Sequence, residues 1–398
     1  MKDNQAKYPQ LRFKGFTYPW EKRKLGKWFA ERTERSGEGE MLSVTISSGV
    51  VRANSLDRKD NSSTDKSNYK VVHIGDIAYN SMRMWQAASG VSNYDGIVSP
   101  AYTVLVPAAE VSSVFFGYQF KQTKMKQIFQ RNSQGLTSDT WNLKYPLLAK
   151  IKTSAPQKTE QVKIGTFFAT LDHLIAVNQR KLAKLKELKQ GYLQKLFPEN
   201  GSKFPQLRFA GFADAWEQRK LSDLTESHNS GVYIPKDQYG EGTNIIGVGD
   251  IYDSDVVDGQ RYRLAPVKDK RFILHTNDLL YGESSLVPEG IARVVSVSEA
   301  GAGTAFAWHT RRFKVNQVTL NSRFLGLELD YWLPARSHLM RSSTKTALTG
   351  ITTQDFFNTQ IVFPSKPEQE KIATLINSLD TAIALHHSFQ LLSIAKRL

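Results

Sequence analysis

The sequence predicts a mixed α/β protein in which two α/β domains are joined by two long helices that form an antiparallel coiled coil, the whole being an internal repeat with a pseudo-twofold axis. Three observations predict it. One motif heads each half of the chain, a second motif closes each half, and the closing segments carry helical seam spacing while the stretches between read as short strands.

The opening motif, Lys7-Tyr-Pro-Gln-Leu-Arg-Phe-Lys-Gly-Phe16 followed by Trp20-Glu-Lys-Arg-Lys-Leu25, returns 196 residues later as Lys203-Phe-Pro-Gln-Leu-Arg-Phe-Ala-Gly-Phe212 and Trp216-Glu-Gln-Arg-Lys-Leu221. Trp20 and Trp216 are expected to anchor packing between insert and helix, since a large amphipathic ring at a repeated place serves a core first. Arg12/Arg208 and Arg23/Arg219 could meet DNA phosphate or a partner's acids.

The inserts, roughly 26–155 and 222–363, share little identity. Tyr69–Tyr79, Gly96–Pro107 and Gly290–Val297 are rich in Val, Ile and Tyr and bounded by Gly, Asn, Ser and Pro, which predicts strands. Phe115–Phe129 and Phe324–Met340 carry helical spacing. Gly75-Asp76-Ile-Ala-Tyr79-Asn80-Ser81 echoes Asn277-Asp278-Leu-Leu-Tyr281-Gly282-Glu283, which points to one fold with two different surfaces.

The closing motif is Pro156-Gln-Lys-Thr-Glu-Gln161-Val-Lys-Ile164 in the first half and Pro364-Ser-Lys-Pro-Glu-Gln369-Glu-Lys-Ile372 in the second. Ile164, Phe168, Leu171, Ile175, Asn178, Leu182 and Leu185 then alternate steps of four and three, the rhythm of a coiled-coil seam. From Gln157 to Phe197 such a helix is about 60 Å long at 1.5 Å per residue, and Pro198-Glu-Asn-Gly201 stops it. Ile372, Ile376, Leu379 and Ile383 repeat the rhythm, with His386 at the place of Asn178. A polar layer of Asn178 and His386 could fix helix register. The expected domains are therefore 1–155, 156–198 (the central helix), 199–363 and 364–398 (the C-terminal helix). The second helix, ending at Leu398, lacks a copy of Gly191–Phe197, and its seam degrades after Ile383.

Composition narrows the function. The chain has 398 residues, 53 Lys+Arg against 38 Asp+Glu for a net charge of +15, and no cysteine. No disulfide framework, thiolate metal site or cysteine nucleophile is available, and no stretch approaches the ~20 apolar residues of a membrane span. The expectation is an untargeted cytoplasmic protein with no membrane partner. The charge suggests a polyanion, but residues 1–200 hold 31 basic and 17 acidic side chains and residues 201–398 hold 22 and 21. The second half must therefore depend more on groove contacts and partners than on bulk charge.

No catalytic constellation is legible. The only Gly-Lys step, Gly26-Lys27, lacks the rest of a phosphate-binding loop, and Gly301-Ala-Gly303 reads as a turn. Asp253, Asp255 and Asp258 read as a solvated acidic turn, because the twelfth position of a calcium loop would be Leu264. No paired histidines have ligand spacing, and Asn-Pro-Pro and Pro-Asp are absent. The expectation is no catalytic residue, no metal and no cofactor held by this chain. What remains is recognition through polar loop clusters: Asn80, Ser81 and Arg83; Gln134, Thr137 and Ser138; Tyr281, Glu283 and Ser284; Arg293; and Thr344 with Lys345. Arg can bridge guanine, Asn and Gln adenine, and Glu can accept from cytosine, while Ser, Thr and Lys suit phosphates.

The two copies of P-x-L-R-F-x-G-F…W-E-x-R/K-K-L and of P-x-x-x-E-Q-x-K-I…L-D…I resemble the specificity subunit of type I restriction-modification systems. Leu286-Val-Pro-Glu-Gly-Ile291 after Tyr281-Gly-Glu-Ser-Ser285 is similar to a stretch of those subunits' second insert. The resemblance spans essentially the whole chain. It implies two target recognition domains, each reading half of a bipartite, asymmetric site on double-stranded DNA. It also implies a coiled coil that sets the spacer and docks two methyltransferase subunits, with restriction subunits joining them and one specificity subunit per complex. S-adenosylmethionine, ATP and Mg would then sit on the partners. Two other readings stay open from the residues: a stand-alone sequence-specific DNA-binding architectural or regulatory protein, and a nuclease or methyltransferase with built-in recognition, which would need the motifs found missing.

Overall fold

The computed structural model describes residues 8–57, 63–252, 254–259, 262–285, 290–344 and 349–395, the last six by backbone alone. The chain divides into two compact units, Met1–Ala176 and Val177–Leu398.

Unit 1 begins with β1 (Glu21–Lys24), the single turn α1 (Leu25–Trp28) and β2 (Phe29–Glu31). It continues through β3 (Leu42–Thr45), β4 (Gly49–Arg52), β5 (Lys70–Val72), β6 (Ile77–Asn80), β7 (Ser89–Val91), β8 (Gly96–Val98) and β9 (Tyr102–Pro107). After α2 (Ser113–Lys121), α3 (Thr123–Asn132) and α4 (Tyr145–Leu148), β10 (Lys152–Ala155) leads into α5 (Lys158–Leu196), whose second half belongs to unit 2. The central sheet has the order β2-β9-β6-β7, and β3-β4 and β5-β8 form separate pairs, all antiparallel. Leu25, Trp28, Phe29, Tyr79, Phe116, Phe120 and Phe129 fill the core between sheet and helices. Two predicted strands break where the backbone turns. Gly75, at φ +90°, separates β5 from β6, a conformation open to glycine at little cost. A turn at Ser99–Tyr102 separates β8 from β9. The predicted helix 115–129 is two helices, because Gln122 is extended at ψ 144°.

Unit 2 repeats the plan with a larger insert. Its elements are β11 (Glu217–Lys220), β12 (Thr225–Ser230), β13 (Thr243–Ile246), β14 (Val256–Val257), β15 (Arg263–Ala265), β16 (Leu279–Gly282), β17 (Ser284–Ser285), β18 (Val294–Val297), β19 (Ala305–Phe306) and β20 (Thr310–Val315). There follow α6 (Ser322–Tyr331), α7 (Leu333–Arg341), β21 (Thr349–Gly350), α8 (Thr353–Phe357), β22 (Gln360–Phe363) and α9 (Lys366–Ala395). The main sheet has the order β12-β20-β16-β18-β14, beside a three-stranded sheet β15-β13-β19 and the pair β17-β21. Pro334, in the first turn of α7, accounts for the break after Tyr331, since a ring there tolerates a helix start but not a helix interior.

The repeat is one of bonding as well as sequence. β1 pairs antiparallel with β10, and β11 with β22, so each insert leaves and returns through one two-stranded ladder. Arg12 Nε donates to Glu160 Oε1 at 2.7 Å and Arg208 Nε to Glu368 Oε1 at 2.8 Å. Gln161 and Gln369 each donate to the carbonyl of the preceding proline, Pro156 or Pro364, at 2.8 Å. Arg12 and Arg208, whose partner was open from the sequence, thus clamp the opening motif onto the first turn of the closing helix, whereas Arg23 and Arg219 pair with Glu21 and Glu217 within their own strands. Trp20 packs edge-on against Phe115 and Trp216 against Phe324, at 5.8 and 5.7 Å between centroids.

Candidate nucleic-acid interface and the paired helices

In unit 1 the fold brings the two predicted loop clusters onto one surface. Asn80 ends β6, and the following backbone accepts at Ser81 O from Leu143 N (2.8 Å), while Tyr79 Oη donates to Leu143 O (3.0 Å). Gln134 and Asn142 exchange both backbone hydrogen bonds, and Trp85 meets Trp141 edge-on at 5.3 Å. These contacts hold residues 80–86 against 133–143. Arg83, Gln134, Thr137 and Ser138 are exposed there, with Leu136 fully exposed at the tip. Ser81 is buried, its hydroxyl 2.9 Å from that of Thr103, so it supports the loop and does not present a groove contact. Asn80 is half-buried and its Oδ1 accepts from Met82 N.

Unit 2 distributes its predicted residues differently. Tyr281 is buried in the core, its ring stacked 3.6 Å from that of Phe356, which corrects the expectation of a base reader: burying a Tyr ring against a Phe-rich core outweighs exposing it. Ser284 is buried in β17, paired with β21. Glu283 is half-buried and accepts from Arg311 Nε at 2.6 Å. Thr344, exposed, donates its backbone N–H to Gly350 O, which places it beside the β17-β21 pair. Lys345 and residues 286–289 lie outside the described residues.

Arg293 is a structural cation. Its guanidinium lies 2.7 Å from Asp255 and 3.3 Å from Asp330. Asp255, expected in a solvated turn, is instead the hub of a half-buried network: Lys189 on α5 reaches it at 2.8 Å and Asp380 on α9 at 2.7 Å, and Arg323 on α6 reaches Asp380 at 2.7 Å. Burial works to raise the Asp255 carboxyl, but Lys189, Arg323 and Arg293 together hold it down at about 2. Asp330 goes the other way, to about 6, because its burial exceeds what Arg293 returns. Reading the sequence missed this network, since its members are scattered from 189 to 380 and share no spacing.

Sequence reading also missed an uncovered aromatic and polar group beside Glu283. His228 stacks on Phe357 at 4.8 Å, with Arg311 Nη1 3.2 Å from its Nδ1. Burial, then Arg311, lowers the His228 pKa. Exposed Tyr233 and Trp308 meet edge-on at 5.1 Å.

Within unit 2, α5 and α9 run antiparallel. Asn178 Nδ2 donates to His386 O at 3.0 Å and its Oδ1 contacts His386 Nδ1, while eleven residues further on Lys189 meets Asp380. Leu182, Ile372, Ile376 and Leu379 are buried; Leu185, Ile383, Asn178 and His386 are half-buried. In unit 1, Ile164 and Ile175 are half-buried and Phe168 and Leu171 exposed, so the apolar seam extends beyond the part that is covered. Among the described residues no helix is long and apolar enough to cross a membrane, and no group of three or more His, Asp or Glu is placed to hold a metal.

Comparison with known proteins agrees with this layout. Residues 213–393 match the family described as "Type I restriction modification DNA specificity domain". The type I restriction enzyme MjaX specificity subunit assigned in Methanocaldococcus jannaschii is 22% identical over 344 residues, covering 81% of this chain and 75% of that one. Among solved structures, the type I restriction-modification S subunit from M. genitalium superposes with a TM-score of 0.56 at 12% identity, covering 98% of this chain and 96% of that one. The HsdS subunit from Thermoanaerobacter tengcongensis gives 0.46 at 16% identity, over 93% and 91%. With its repeated frame, its two α/β inserts and its antiparallel helix pair, the chain is similar to the specificity subunits of type I restriction-modification systems, and its residues 213–393 carry the DNA specificity domain of that family.

Proposed function

We propose that this chain reads a bipartite, asymmetric sequence on double-stranded DNA, with residues 1–155 and 199–363 each recognising one half-site. The helices 156–198 and 364–398 set the spacer and dock two methyltransferase subunits, and restriction subunits join that complex around a single specificity subunit in the cytoplasm. The chain is non-catalytic. S-adenosylmethionine, ATP and Mg belong to the partner subunits, where adenine methylation and cleavage take place. A target adenine swung out of the duplex requires the reader to tolerate distorted DNA.

One observation carries the reading: the same clamp and ladder are built twice, around inserts whose exposed loops differ. A repeated scaffold with two dissimilar surfaces suits a target with two dissimilar halves. In unit 1 the reading surface is Arg83 with Gln134, Thr137 and Ser138; in unit 2 it is the neighbourhood of Glu283, Arg311 and Thr344. Arg and Gln offer bidentate partners for guanine and adenine, and hydroxyls suit phosphates. The test is exchange of residues 26–155 for the insert of a relative, followed by methylome sequencing of cells that express the chain with its methyltransferase. One half-site should change and the other persist; a change in both halves, or in neither, overturns the modular reading.

A further inference from the structure

Ser81 and Glu283 occupy the same slot of the repeated fold. Tyr79 faces Thr103 in the β6–β9 ladder as Tyr281 faces Arg311 in the β16–β20 ladder, and both tyrosines are buried. The residue two beyond each tyrosine, Ser81 or Glu283, accepts at its carbonyl from Leu143 N at 2.8 Å or Ile351 N at 3.1 Å. The turn before each partner strand closes in the same way, Tyr102 N donating to Ser99 O and Thr310 N to Ala307 O. The backbones match, and the side chains in the slot differ.

In unit 1 the slot holds two hydroxyls. Ser81 Oγ lies 2.9 Å from Thr103 Oγ1, and both residues are buried. In unit 2 it holds an ion pair: Arg311 Nε donates to Glu283 Oε1 at 2.6 Å, and both residues are half-buried. The fold does not require those charges, since the same slot closes over a serine and a threonine. Bulk attraction to phosphate does not explain the arginine either, because Glu283 cancels its charge and residues 201–398 hold 22 basic against 21 acidic side chains. What the pair supplies is a guanidinium of fixed direction. Glu283 holds Nε, His228 Nδ1 lies 3.2 Å from Nη1, and Glu283 N donates to His309 O at 2.9 Å, which pins the acid's own backbone.

We propose that Arg311 reads a guanine in the half-site recognised by residues 199–363, and that Glu283 positions it and touches no base. A planar fork of donors with no acceptor matches the paired acceptors O6 and N7 of guanine and mismatches adenine, whose N6 is a donor. The proposal rests on the reading of this chain as a sequence-specific DNA reader and adds which base is read and by which atoms.

The test uses the full chain assembled with its methyltransferase. Methylome sequencing defines the motif, and exchange of residues 222–363 for a relative's insert shows which half belongs to unit 2; that half should contain a fixed guanine. Placing 7-deazaguanine there removes N7 and keeps the base pair, so it needs no protein variant to fold. It should slow methylation of a synthetic duplex about tenfold with the unaltered chain. It should have no effect with Glu283→Ser/Arg311→Thr, which installs the residues that unit 1 carries in the slot. In the methylome of that double variant the guanine should become degenerate while every other position stays fixed, whereas a pair serving stability alone would lower the melting temperature and leave the motif intact. A unit 2 half without a fixed guanine, or methylation indifferent to 7-deazaguanine at every guanine of that half, overturns the Arg311 assignment alone. A motif with no second half overturns the underlying reading and the assignment with it.

Discussion

Asn178 and His386 face each other across the helix pair, joined through the Asn178 amide to the His386 carbonyl and imidazole. They occupy equivalent positions of the repeat, so each helix contributes its single polar seam residue to the same layer. Polar pairs on an apolar seam trade stability for register. Asn178→Ala should lower unfolding free energy by about 1 kcal/mol, the worth of a half-exposed hydrogen bond. The double variant Asn178→Leu/His386→Leu should regain that stability while losing a unique helix register. Denaturant titration with a double-mutant cycle measures the first and crosslinking of cysteines placed along both helices the second.

Arg208 and Glu368 make the second-half clamp, with the Glu368 side chain 1% exposed. Removing the cation leaves a buried carboxylate without its partner, so Arg208→Ala should cost about 2 kcal/mol. A phosphate-binding arginine would instead reduce the salt dependence of DNA binding when removed. The expectation for Arg208→Ala in the assembled methyltransferase is an unchanged salt slope with a lowered melting temperature.

Much of this architecture was readable because the repeat is written in residues that bond to each other: Arg12 with Glu160 and Arg208 with Glu368 tie the two motifs that sequence comparison alone picks out. The seam rhythm gave both helices, since period 3.5 is a property of consecutive residues. The site was less legible. Asn80, Arg83, Gln134 and Thr137 come together through backbone bonds between 81 and 143, and the sequence indicates the loops but not their meeting. Tyr281 is buried in the core and Arg293 is held between Asp255 and Asp330, placements that residue type alone does not reveal: type says what a side chain can bind, while burial and neighbours say what it meets in the fold. Lys189, Asp255 and Asp380 are distant in sequence, and only tertiary packing makes them a network.

That network has a pH signature. Asp255, held at about 2, contributes stability that is present above the usual carboxylate value near 4 and lost as pH falls from there towards 2. Asp330, at about 6, is protonated in the fold where the unfolded chain is already ionised, so stability declines as pH rises from about 4 to about 6 and is level above. Asp330→Asn should flatten the slope between pH 4 and 6, and Asp255→Asn should lower stability above pH 4 and weaken the acid loss. Urea titrations at half-unit pH intervals read both.

Arg83 and Arg293 offer the sharpest contrast, because the sequence treats them alike and the structure does not. Arg83 is exposed beside Gln134 and Thr137, whereas Arg293 is bound between Asp255 and Asp330. Arg83→Ala should leave the melting temperature within a degree and reduce methylation of the cognate site by tenfold or more, a loss of about 1–3 kcal/mol if it bridges a base. The relaxation should be confined to one half-site. Arg293→Ala leaves the buried Asp330 without its ion-pair partner while Asp255 keeps Lys189 and Arg323, and the cost of breaking a buried pair, about 3 kcal/mol, should appear as a fall in melting temperature. Arg293→Lys should restore part of that stability, since a point charge can still meet Asp255 but cannot bridge both acids with a planar fork. Parallel thermal melts and methylome readings of the three variants check the assignment; equal thermal losses for Arg83→Ala and Arg293→Ala would refute it.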